Sequence, residues 1–132
     1  MTTDSSTNKR KLVRLLCNAS FGDSVLTCSE QSFVAKSINY NHQGICVFTF
    51  QRIPEVDTLE IGFSYQQGNE EVVVDKIPCQ VVYALFTETG DQFGLRFLWD
   101  DIDPAVQERL RRIEALLEKN SDDQDRYGLN HQ

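Results

Sequence analysis

The stretch from Thr58 to Gln66 alternates without a break. Leu59, Ile61, Phe63 and Tyr65 fall on one face, and Thr58, Glu60, Gly62, Ser64 and Gln66 on the other. A period of two is the mark of a strand with one face against a core. It constrains the whole chain, because a single half-buried strand needs partners on both edges. Those partners are in the text. From Leu12 to Trp99 the sequence reads as strand. Gly44–Arg52 is apolar on both faces and rich in aromatic and β-branched residues, so it predicts a deeply buried strand. Ser32–Asn39, Glu70–Asp75, Cys79–Thr87 and Gln92–Trp99 are further candidates. Gln67-Gly68-Asn69 and Thr89-Gly90-Asp91 supply turn residues, and Pro54 and Pro78 interrupt the ladders because proline has no N–H to give. Short strands joined by such turns make a small antiparallel barrel or sandwich, an all-β fold.

One helix follows. Asp103 and Pro104 suit the N-cap and first helical position. Val106, Leu110, Ile113 and Leu117 then form one apolar stripe over residues 104–119. The stripe packs on the barrel or, as a second reading, pairs with a copy of itself, so the chain is expected as monomer or homodimer. Asn120 is the expected stop. Residues 1–8 are polar and expected to form a flexible N-terminal tail, and 121–132 a polar C-terminal tail. The domain proper is expected over residues 9–120.

Several functions are excluded. The net charge of −7 opposes binding to DNA or RNA, which needs excess cations to displace counterions. The charge is uneven: Lys9, Arg10, Lys11 and Arg14 face Asp4 alone in the first 14 residues. A basic arm on an acidic body suits a small anion. No apolar run is long enough for membrane insertion, and no secretory signal opens the chain. Cys17, Cys28, Cys46 and Cys79 lack close pairing and read as free thiols in a reducing cytoplasm, not metal ligands. His42 and Cys46 stand four apart, but on a strand that spacing defines no nucleophile–base pair, and His42 reads as a satisfied turn residue. Glycine-rich phosphate and dinucleotide loops are absent. The chain is expected to be no enzyme and to need no cofactor.

One constellation remains. Arg10 and Arg14 form R-x-x-x-R, and some 25 residues later Asn39-Tyr40-Asn41-His42-Gln43-Gly44 leads into the buried strand. Two arginines four apart on an extended segment span roughly 13 Å, enough for two guanidinium forks to reach separate parts of one ligand. A guanidinium holds phosphate bidentately, or reads O6 and N7 of guanine. Asn39 adds directional hydrogen bonds, and Gly44 lets a ligand come close to the backbone.

These residues resemble the PilZ domain, the bacterial receptor module for cyclic di-GMP. Its pattern is R-x-x-x-R followed 20 to 30 residues on by [D/N]-x-S-x-x-G, and Arg10, Arg14, Asn39 and Gly44 match it. The segment Phe93-Gly94-Leu95-Arg96-Phe97-Leu98 and the helix after it resemble the family's last strand and C-terminal helix. The resemblance implies a six-stranded antiparallel β-barrel with a C-terminal α-helix. It also implies a cyclic di-GMP receptor that changes shape and signals to a protein partner. Arg10 and Arg14 would clamp guanine and phosphate, with Asn39, Asn41 and Gly44 as the opposing wall. Asn41 departs from the pattern's serine. An asparagine there keeps the contact, crowds the ligand, or caps the turn through an Asx-type bond. The alternative is a nucleotide-independent adaptor of the same fold, as in type IV pilus assembly or motility.

Overall fold

A computed structural model describes the backbone of residues 14–130 and the side chains of residues 14–120. Arg10 and the expected N-terminal tail lie outside the described residues. The strands are β1 (Leu15–Leu16), β2 (Ser24–Cys28), β3 (Gln31–Asn41), β4 (Gly44–Thr49), β5 (Thr58–Gln67), β6 (Glu70–Phe86) and β7 (Asp91–Phe97). A 3-10 turn, Trp99–Asp101, leads into α1 (Pro104–Asn130). Every strand pair is antiparallel. The hydrogen-bonded order β2-β3-β4-β7-β6-β5 returns to β2, which closes a six-stranded barrel. The two residues of β1 add to β3 outside that ring.

The alternation that began the argument holds in three dimensions. Leu59, Ile61, Phe63 and Tyr65 of β5 are all buried. They meet Ile45 and Val47 of β4, Leu95 and Phe97 of β7, and an aromatic cluster in which Phe21 meets Tyr65 and Tyr40 meets Phe63 edge to face, with Phe21 tilted against Tyr40. The stripe on α1 packs on this core. Leu110, Ile113 and Leu117 are fully buried, each contributing about 1.5–3 kcal/mol in apolar transfer. The Tyr40 hydroxyl donates to the Leu110 carbonyl at 2.6 Å, which spares a buried O–H the cost of having no partner.

Three expectations are corrected. Glu70–Asp75 and Cys79–Thr87 are one continuous strand, β6, not two. Pro78 is tolerated because its carbonyl still accepts from Leu98 N–H at 2.8 Å and its missing donor falls beside an irregular stretch. That stretch is a bulge, with Asp75 and Lys76 set against Gly62 and Lys76 at φ 53°. Second, β2 was not among the expected strands; it turns into β3 through Ser29 and Glu30, both left-handed at φ 51° and 65°. Third, the helix does not stop at residue 119 or at Asn120 but continues through Asn130, so much of the segment expected as a polar tail is helical. No Pro or Gly lies between residues 105 and 127 to break the backbone ladder.

Two more bulges decide which way side chains point. In β3, Ser37 pairs with Val47 but Asn39 pairs with Cys46, so Ile38 is an extra residue. In β6, Val81 pairs with Leu95 but Tyr83 pairs with Gly94, so Val82 is extra. Each insertion reverses the inside–outside alternation. Without them Asn39 and Tyr83 would face the core. With them, Tyr40 turns inward, while Asn39 and Tyr83 turn outward at opposite ends of one row.

Candidate functional site

That row runs across the outer face of four strands: Asn39 on β3, Cys46 on β4, Gly94 on β7 and Tyr83 on β6. The next row contains Asn41, Gly44, Arg96 and Gln80. Cys46 and Gly94 in the first row and Gly44 in the second make a floor of small residues. Arg14, just before β1, reaches over them. Its Nη1 donates to Asn39 Oδ1 at 3.4 Å. Its Nη2 lies 2.7 Å from where a Cβ on Gly44 would stand, and the Leu95 carbonyl oxygen lies 2.3 Å from the same point. Glycine is required at residue 44 by this close approach and not by its backbone angles. The structure thus brings three of the five expected site residues, Arg14, Asn39 and Gly44, into direct contact.

Asn41 belongs to the turn beneath them. It is buried, and its Oδ1 accepts the backbone N–H of Gln43 at 2.8 Å and of Gly44 at 3.0 Å. Of the three roles open to it from sequence, this is the Asx-type cap. The cap fixes the main chain that presents Gly44.

The turn is tied to the helix as well. Glu114 Oε1 accepts the backbone N–H of His42 at 2.6 Å and sits 2.8 Å from its Nδ1. The His42 ring stands edge-on to Trp99, centroids 5.5 Å apart. Cys46 is engaged elsewhere, its Sγ 3.3 Å from the Tyr83 hydroxyl. His42 and Cys46 therefore do not form a pair. Among the described residues no group of three or more His, Cys, Asp or Glu is placed to hold a metal.

Sequence reasoning missed Tyr83, Arg96 and Gly94. The Tyr83 ring covers Gly94, where a Cβ would lie 2.1 Å from Cε2. Its hydroxyl also accepts from Gln92 Nε2 at 3.2 Å. The bond to Cys46, with burial, raises the phenol's pKa, and Gln92 and the nearby Arg14 charge offset only part of that rise. Arg96 stands opposite Gly44 and donates to Gln80 Oε1. No signal in the sequence marks Tyr83, because only the Val82 bulge turns it outward.

Among known proteins, no family model matches the sequence and no curated protein matches it. Solved structures do. A structure of YcgR from Escherichia coli in complex with c-di-GMP superposes with a TM-score of 0.66 at 15% identity, covering 87% of this chain and 48% of that one. MotI/DgrA, an inhibitor of motility from Bacillus subtilis, gives 0.63 at 14% identity, covering 81% and 51%. The chain thus spans about half the length of these two proteins. The separate PilZ domain of E. coli YcgR with c-di-GMP gives 0.59 at 12% identity, covering 86% of this chain and 94% of that domain. With its closed six-stranded barrel and C-terminal helix, the chain is a PilZ-type domain in its fold.

Proposed function

We propose that this chain is a cyclic di-GMP receptor whose bound state is read by a protein partner. The observation that carries the reading is the convergence of Arg14, Asn39 and Gly44 on one outward face, made possible by the Ile38 bulge and the Asn41 cap. A guanidinium above a floor of small residues offers charge-assisted hydrogen bonds to a phosphate, or a bidentate contact to a guanine edge. Asn39 holds the arginine and offers its amide N–H to the ligand. Arg10 would close over the ligand from the arm before Arg14. Asn41 supports the site by holding the turn. Solved structures of the same fold bound to c-di-GMP support the reading.

Output follows from the same turn. Its main chain is bonded to Glu114, and the preceding Tyr40 is bonded to Leu110. A ligand that shifts Gly44 or Arg14 pulls on α1 through these two links, and a partner on α1 reads the difference. The test is backbone NMR with cyclic di-GMP, with GMP as control. Shifts centred on residues 14, 39–46, 83 and 94–96 that continue into 110–114 are expected. Shifts confined to other surfaces would overturn the reading.

A further inference from the structure

A cleft of about 700 Å³ opens beside this site, between the β3–β4 turn, the end of β7 and the first turns of α1. It shares a wall with the site, since Arg96 lines the cleft and also pairs with Gly44. Its size suits a nucleotide-scale ligand. Nothing in the Arg14–Asn39–Gly44 motif uses it.

Its lining has a definite chemistry. The Arg111 guanidinium lies over the Trp99 ring, 5.1 Å from the centroid. His42, itself held by Glu114, stands edge-on to the same indole. A planar cation held over an indole can stack another flat group on the guanidinium. Asp100 and Asp101 line the same cleft and carry carboxylates that only accept hydrogen bonds. The group that satisfies both is a base with adjacent N–H donors on one edge. Guanine has them at N1 and N2. Adenine presents an acceptor at N1, which a carboxylate repels.

We propose that this cleft takes one guanine base of the dinucleotide, stacked on Arg111 above Trp99 with its N1–N2 edge on Asp100 and Asp101, while Arg96 holds the phosphate between the two sites. The inference rests on the cyclic di-GMP reading and adds the second half of its site. One ligand then spans from Arg14 to Trp99 across the Gly44–Arg96 pair. Guanine is thereby selected over adenine in the cleft, in addition to any guanidinium contact to O6 and N7 at the arginine motif.

The sequence contains one tryptophan, so its fluorescence reports on the cleft alone. Cyclic di-GMP titrated into the full chain should quench Trp99 in step with the binding heat, and cyclic di-AMP should do so far more weakly. Arg111→Ala and the pair Asp100→Ala, Asp101→Ala should each lower affinity for cyclic di-GMP about tenfold or more. The Asp pair should also narrow the preference over cyclic di-AMP. All three residues are on the surface, and circular dichroism checks that the variants fold. Binding heat without a change in Trp99 emission, or wild-type affinity in Arg111→Ala, overturns the cleft assignment while leaving the receptor reading intact. Absence of any binding heat overturns both.

Discussion

Replacing Gly44 and Gly94 with alanine should give unequal losses, although both glycines lie on the outer face and both lack room for a methyl. At Gly44 the new Cβ would stand 2.3 Å from the Leu95 carbonyl oxygen, where real Cβ atoms keep about 3.0 Å. That oxygen belongs to β7, hydrogen-bonded to β4 in the middle of the barrel. It can move only if the two strands part by about 0.7 Å. Overpacking against a fixed wall costs about 1–3 kcal/mol. With a urea dependence of about 1–3 kcal/mol per molar for a domain this size, the midpoint should fall by about 1 M. Arg14 must also leave, since its Nη2 stands 2.7 Å from the same point. At Gly94 the obstacle is the Tyr83 ring, 2.1 Å away but 45% exposed, a side chain that can swing out at the cost only of its bonds to Cys46 and Gln92. Alanine also orders the unfolded strand less wastefully than glycine, by about 0.5–1 kcal/mol. Gly94→Ala should therefore shift the midpoint by less than half as much, and displace Tyr83. Urea titration followed by circular dichroism separates the two. Equal losses in the two variants, or a wild-type midpoint in Gly44→Ala, would refute the argument that the neighbour's freedom decides the cost.

Other expectations follow from single contacts. Asn41→Ala should destabilise the fold by about 1–3 kcal/mol in chemical denaturation, because the buried N–H of Gly44 and the part-buried N–H of Gln43 lose their acceptor. Asn41→Ser should retain most of that stability and bind cyclic di-GMP at least as well as wild type, since a hydroxyl caps the same turn with less bulk. Glu30→Gly should stabilise by about 1 kcal/mol in the same assay, because a left-handed backbone at φ 65° costs an L-residue about that much. Burial, with a smaller effect from Cys46, pushes the Cys17 thiol up to about 12. Its alkylation by iodoacetamide, followed by mass spectrometry, should therefore be slow near pH 8. It should keep accelerating above pH 10, where an ordinary cysteine has levelled off.

What the sequence made legible were regular periods and a motif. The alternation of Leu59, Ile61, Phe63 and Tyr65 and the stripe of Leu110, Ile113 and Leu117 both face the core as expected, because each period was unbroken. Arg14, Asn39 and Gly44 were named from their spacing and meet in space. The misses arose where one residue broke a period. The Ser29–Glu30 turn carries neither Asn nor Gly, so β2 gave no hairpin signal. The bulge at Lys76 let β6 continue past Pro78, which alone reads as a stop. The extra residues Ile38 and Val82 are ordinary β-branched residues in the sequence. Only the register shows that they turn Asn39 and Tyr83 outward. Helix α1 outran its expected end because Asn120 alone, with no Pro or Gly between it and residue 127, does not break the backbone ladder.

Isothermal titration of cyclic di-GMP into the wild-type chain and into Arg14→Ala tests the central claim most directly. Among the described residues Arg14 is held by a hydrogen bond to Asn39 and lies outside the core, so its loss should leave the unfolding midpoint almost unchanged. A charge-assisted contact contributes about 1.5–3 kcal/mol, which is a 10- to 100-fold change in affinity. The account predicts saturable binding to wild type and binding weaker by that factor in Arg14→Ala. No binding heat with folded wild-type protein, or equal affinity in the two, would contradict it.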